Sequence, residues 1–185
     1  MWTARRVLGL FVAGGIGGIV CDQIHVQGGV LSYPHVVFLD QDWWVGPNFG
    51  IGVLLILAGS VPFARWAARL RPTSPTGSDL VTGSLWFLSA YVASAVFSST
   101  PRALLFAYLL VFGARIALLS DRKALAAHGV MLAVGGVAWE ATLCALGLFH
   151  YNHPHIFGVA WWLPGLYLHG APLALAITRR LQPVT

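Results

Sequence analysis

The chain has 185 residues, 57% hydrophobic and 9% charged, with a formal net charge of +5. A soluble domain carries about a quarter charged residues, so this composition cannot build a water-facing surface and indicates an integral membrane protein. The basic residues are dispersed and form no stripe interleaved with aromatics, which argues against a nucleic-acid partner.

Six apolar spans are predicted in chain order: Arg6 to Ile24, Trp44 to Pro62, Leu80 to Phe97, Ala103 to Leu119, Leu125 to Phe149 and Ile156 to Ile177. Each holds about 17 to 25 residues, enough to cross a hydrocarbon layer. The fold class is therefore all-α, an integral membrane six-transmembrane-helix bundle, with residues 1–185 as one domain. Ten of the eleven Lys and Arg residues lie at span ends of one parity, and only Arg102 lies at the other. Because cations are kept on the cytoplasmic side, both termini are expected to be cytoplasmic. The first run, Arg5-Arg6 and then Val7 to Ile19, continues into Cys21, Asp22 and Gln23 without a small-x-small cleavage site. It reads as a retained helix.

Helix one carries Gly9, Gly14, Gly15, Gly17 and Gly18, and helix five Gly129, Gly135 and Gly136. Such residues either let another backbone approach closely or leave room for a ligand. Pro47, Pro62, Pro164 and Pro172 interrupt helices two and six, and Pro164-Gly165 predicts a kink in mid-helix six. The segment from Arg71 to Asp79 is a turn-rich linker that caps the third helix. Cys21 and Cys144 fall in apolar runs and read as buried hydrophobes.

Polar groups inside spans are costly and face a bundle interior. Glu140 is the foremost of these. His169 lies at similar depth on the neighbouring helix, so a Glu140–His169 contact is expected, as a structural pair, as the polar anchor of a cavity or as a proton relay. Asp22, Gln23, His25 and Gln27, with Asn48, are either interfacial or rim an opening. His25, His35, His150, His153 and His155 are placed in the outer loops and read as polar loop residues without metal-site spacing. Trp43, Trp44, Trp161 and Trp162, with Tyr33 and Tyr151, are expected to form an interfacial aromatic belt. No nucleophile elbow, zinc motif or phosphate loop is present in the sequence.

Trp43-Trp44-Val45 with Pro47 and Gly50 resembles the motif that opens helix two of the Insig proteins, eukaryotic sterol-responsive regulators. Tyr151, Pro154, Trp162-Leu163-Pro164 and Gly170 are similar to that family's pattern at the sixth helix. Gln27, Val30 and Pro34 match in the first loop, and Ser120-Asp121-Arg122 resembles the family's Asp-Arg stretch after helix four. The resemblance covers about Arg5 to Leu181. It departs at Asn48-Phe49, where the family has a cysteine pair, and is weak in helices three and four apart from Trp86 or Phe87. Composition rich in Arg over Lys points to a prokaryotic-type Insig homologue.

The resemblance implies a six-helix bundle that binds an oxysterol-like lipid and meets sterol-sensing membrane proteins, with Asp121 and Arg122 at the partner contact. The expected function is non-enzymatic binding of a neutral amphipathic lipid, sterol-like or diglyceride-like, without a cofactor. Glu140, His169, Gln27 and Asn48 are the candidate polar contacts, with Trp86, Phe87, Trp139 and Tyr167 as apolar wall. An enzyme or transporter acting on isoprenoid-like lipid through Glu140 is the alternative. A purely structural partner subunit, with the glycine-rich first helix as its interface, is a third reading. The expected location is the plasma membrane in a prokaryote, or the endoplasmic reticulum in a eukaryote.

Overall fold

The computed structural model describes residues 3–182 as six helices and one short strand pair. The helices are α1 (Ala4–Gln27), α2 (Val45–Leu70), α3 (Gly77–Phe97), α4 (Pro101–Ala117), α5 (Arg122–Ala145) and α6 (Leu163–Leu181). Strands β1 (Leu31–Ser32) and β2 (His150–Tyr151) pair antiparallel between the α1–α2 and α5–α6 connections. We call this the strand end of the bundle and the opposite side the arginine end.

Local chemistry sets the helix limits. Thr76 and Asp79 form a reciprocal capping box at the start of α3, which holds two backbone donors that the helix cannot satisfy itself. Pro101 opens α4, where its missing N–H costs nothing. α1 and α5 each stop before a glycine in the left-handed region, Gly29 (φ 64°) and Gly147 (φ 70°).

α1, α2, α3 and α5 are long and apolar enough to span a membrane. α4 has 17 residues. α6 touches α2, α3, α4 and α5 and is the central helix, so its polar residues meet protein rather than lipid. It begins at Leu163, not at Ile156. Pro164 thus occupies its first turn, where proline is tolerated, and the expected mid-helix kink at Pro164-Gly165 is absent. Pro172 is the proline inside the helix. A buried cluster around Trp162, Leu163, Tyr91 and Tyr108 fills the strand half, and one around Ala67, Phe112 and Leu175 fills the arginine half.

The glycines mostly serve packing. A Cβ on Gly14 would strike Val53, on Gly15 the Gly46 carbonyl, and on Gly18 the Phe49 side chain, so α1 lies directly against α2. Gly9 and Gly17 face open space instead. Cys21 and Cys144 are half-buried and unpaired.

The two hairpins that carry the strands are copies of one another at an offset of 118 residues, the separation of Tyr33 and Tyr151. Phe38 bridges Gln41 across Leu39 and Asp40, both at positive φ, and Ile156 bridges Val159 across Phe157 and Gly158 in the same way. Trp44 and Trp162 then precede α2 and α6 with nearly identical backbone angles. Val30 N–H donates to His25 O as Leu148 N–H donates to Leu143 O. In the strand pair Ser32 faces His150, its own counterpart at that offset. An approximate local two-fold therefore passes through the β1–β2 pair and relates the two connections and the helix ends beside them, with α3 and α4 outside the repeat. It does not extend to the helix packing, because α2 lies on α5 whereas α1 barely meets α6.

The aromatic belt forms only in part. Trp43 is 71% exposed, but Tyr33, Tyr151 and Trp162 are buried in the core. The strand pair folds both connections back over the bundle, which carries these rings inward. His25 is likewise not in a loop: it lies buried in α1, stacked on Tyr91.

Candidate functional site

The polar groups inside the bundle form two separate centres. At the strand end, the Tyr33 hydroxyl donates to Asp22 at 2.7 Å, and its counterpart Tyr151 donates to Glu140. Tyr167 donates to the other Glu140 oxygen at 2.6 Å. The repeat breaks at this last residue, because the counterpart of Tyr167 is Phe49, which has no hydroxyl. Asp22, Tyr33 and Tyr151 are buried, whereas Glu140 and Tyr167 keep accessible surface and are half-buried.

Burial beside a carboxyl group pushes the phenols of Tyr33 and Tyr151 well above their ordinary value near 10. Both stay protonated and act as donors. The sign follows from linkage: the unfolded chain loses these protons near pH 10 and the folded chain at higher pH, so folding is favoured below pH 10 and weakened above it. Thermal stability in detergent should drop once pH passes about 10, and a Tyr33→Phe/Tyr151→Phe variant should drop less steeply. An equally steep alkaline loss in that variant would contradict the assignment.

The second centre lies toward the arginine end. Arg115 donates to His169 Nδ1 at 3.2 Å, and its guanidinium sits 4.6 Å from the centre of the Trp86 ring. His169 Nε2 donates to the Tyr108 carbonyl at 3.2 Å, which fixes the neutral tautomer. A cavity of about 360 Å³ opens beside Arg115, between α3, α4 and α6, and is also lined by Thr82, Trp86 and Arg179.

Sequence-predicted residues distribute unevenly over these centres. The expected Glu140–His169 contact is not made: both Glu140 oxygens are taken by tyrosines, and both His169 nitrogens by Arg115 and Tyr108. The reason is the repeat, which places the Tyr151 loop over Glu140 just as the Tyr33 loop covers Asp22. Tyr167 joins Glu140 as a donor, beyond the apolar wall role given to it. Asn48 accepts from the Trp139 indole at 3.1 Å, linking α2 to α5. Phe87 packs against Tyr91 and faces Gly170. Gln27 is exposed and lines a shallow apolar groove with Ile24 and Val96, apart from the other candidates. Asp22 and His25 are interior rather than interfacial. Asp121 is only 3% exposed and pairs with Arg179 at 3.7 Å, whereas Arg122 is exposed.

Several interior residues escaped the sequence reading. Ser60 Oγ donates to Ile56 O, so it accepts from His128 Nε2 at 2.8 Å and ties α2 to α5. Ser94 is bonded to Ala90 and Tyr91 carbonyls and receives His25 at 2.7 Å, which ties α1 to α3. The tyrosine partners of the carboxyls were legible only through the internal repeat of Tyr33, His35 and Trp43-Trp44 at Tyr151, His153 and Trp161-Trp162.

No protein-family model matches the chain, and no curated protein does. Two solved structures do, each with a TM-score of 0.68, 28% sequence identity, and coverage of 97% of this chain and 98% of the other. One is the mycobacterial Insig homologue MvINS from Mycobacterium vanbaalenii, and the other is a cross-linked trimer of an arginine-to-cysteine variant of MvINS. The same six-helix membrane bundle thus extends over essentially the whole of both chains, and the motifs at Trp43-Trp44, Asp121-Arg122 and Trp162-Leu163-Pro164 stand at its helix ends. Over nearly its whole length the chain is thus similar in fold and sequence to an Insig homologue of the prokaryotic type.

Proposed function

We propose that this protein is a non-enzymatic membrane receptor for a neutral amphipathic lipid, sterol-like or diglyceride-like, whose hydroxyl is held at Glu140 and Tyr167. The observation that carries this reading is the unequal exposure of the strand-end centre. Asp22, Tyr33 and Tyr151 are buried, while Glu140 and Tyr167 remain half-buried and keep acceptor lone pairs beyond the bonds they already make. A lipid headgroup with one or two hydroxyls requires only a few such groups among apolar walls. The dispersed arginines support an orientation with both termini in the cytoplasm. On that side Arg122 is exposed and offers a face for a membrane-protein partner or a second copy, and Asp121 supports that face from inside. The trimer of the mycobacterial homologue favours self-association as the first form to look for.

Native mass spectrometry of protein released from several mild detergents should show a retained lipid. Glu140→Gln and Tyr167→Phe, which keep side-chain volume, should each lower retention about tenfold, the loss of one strong hydrogen bond. The reading fails if no lipid is retained in any detergent, or if both variants retain it as the parent does.

A further inference from the structure

The cavity at the arginine end holds more positive than negative charge. Among its lining residues are Arg71, Arg115 and Arg179 against Asp79 and Asp121. The two aspartates are already engaged: Asp79 lies 3.8 Å from Arg71, and Asp121 lies 3.7 Å from Arg179. Among the described residues no carboxylate comes within 4.0 Å of Arg115. Its contacts are one nitrogen of a neutral imidazole and the face of an indole, neither of which carries a negative charge. The cavity therefore has an excess of one cationic charge, and that charge is localised on Arg115.

An uncompensated guanidinium at a helix end within a membrane bundle is costly unless something neutralises it. A guanidinium presents a planar fork of donors suited to the paired oxygens of a phosphate. Arg115 lies in the last turn of α4, at the end of the membrane-embedded bundle, which is the depth of lipid phosphates. Thr82 adds an exposed side chain with a hydroxyl, while Trp86, Leu119 and Leu125 make the remaining wall apolar. A volume of about 360 Å³ accommodates a phosphate with its glycerol ester but not a whole lipid.

We propose that this cavity is a binding site for a singly charged phosphate-class anion, with Arg115 as its charge partner and Trp86 and Thr82 beside it. The phosphodiester of an anionic lipid headgroup and free inorganic phosphate share that chemistry. The site is distinct from the Glu140–Tyr167 centre and does not depend on the neutral-lipid reading.

The test uses the full chain in mild detergent, read by native mass spectrometry with three probes: dioctanoyl phosphatidylglycerol, dioctanoylglycerol and inorganic phosphate. Arg115→Met should lower retention of the phosphatidylglycerol at least about tenfold, the loss of one charge-assisted hydrogen bond. Arg115→Lys should keep part of it, and Arg102→Met should keep all of it. Retention of dioctanoylglycerol should be the same in Arg115→Met as in the parent, so failure of this site and failure of the strand-end site give different patterns. Displacement of the lipid by millimolar inorganic phosphate would identify the phosphate group alone as sufficient, and resistance to it would assign the site to a lipid headgroup. The proposal is overturned if the parent protein retains neither phosphatidylglycerol nor phosphate. It is also overturned if Arg102→Met loses as much as Arg115→Met, since a general charge effect would then suffice. The first of these outcomes needs no variant to fold.

Discussion

Arg179→Met is expected to lower the melting temperature in detergent more than any other single change at the arginine end. Arg179 is 7% exposed, and its Nη2 donates to the carbonyls of Arg71 and Thr73 at 2.6 and 2.7 Å. Its Nη1 faces Asp121, whose second oxygen has no partner among the described residues. Methionine fills similar volume but leaves a buried carboxylate alone and two carbonyls without donors. Breaking one side of a buried ion pair costs about 3–5 kcal/mol, because the remaining charge stays desolvated. A second change, Asp121→Leu, removes that charge and should recover a large part of the loss. If Arg179→Met melts with the parent, Arg179 does not hold α6 to the α2–α3 and α4–α5 connections.

Gly136→Ala should also have a large effect, and it reaches the strand-end centre. A Cβ at Gly136 would fall within the Tyr167 ring, so the ring must move and its bond to Glu140 must break. Overpacking of this kind costs about 1–3 kcal/mol, and a hydrogen bond to a carboxylate adds about 1.5–3 kcal/mol. Gly135→Ala provides the comparison, since nothing lies within 4 Å of its would-be Cβ. That neighbour should be neutral or slightly stabilising through helix propensity. Tyr167→Ala added to Gly136→Ala clears the clash, because the contacts are ring atoms. Melting temperature should then rise relative to Gly136→Ala, while lipid retention stays low. If Gly136→Ala alone leaves both quantities unchanged, the close α5–α6 approach is not constrained as described.

The architecture was legible in the sequence because lipid imposes length and apolarity on every crossing helix. Span limits were less so at α6, where apolar residues from Ile156 to Trp162 merge into the helix without a polar break. Only the strand pair and the left-handed turn at Phe157 show that those residues belong to the connection. Glu140 stood out as a carboxylate in an apolar run, but its partner did not. Adjacency of two helices suggested His169, whereas the true donors come from a loop and from the α6 position two residues before His169. Asp22 was visible as a polar residue near a helix end, and depth alone could not separate an interfacial carboxylate from an interior one. The repeat separates them. Once Tyr33 and Tyr151 are seen as counterparts, Asp22 and Glu140 must occupy equivalent interior positions.

The repeat between the hairpins also carries one difference that makes the scaffold one-sided. Asp22 receives one phenol proton, from Tyr33, whereas Glu140 receives two, from Tyr151 and Tyr167, because position 49 is phenylalanine. The two halves are alike in outline and unequal in polarity: one carboxyl is closed off in the core, and the other belongs to a half-buried residue. A single missing oxygen atom gives a near-symmetric frame its direction.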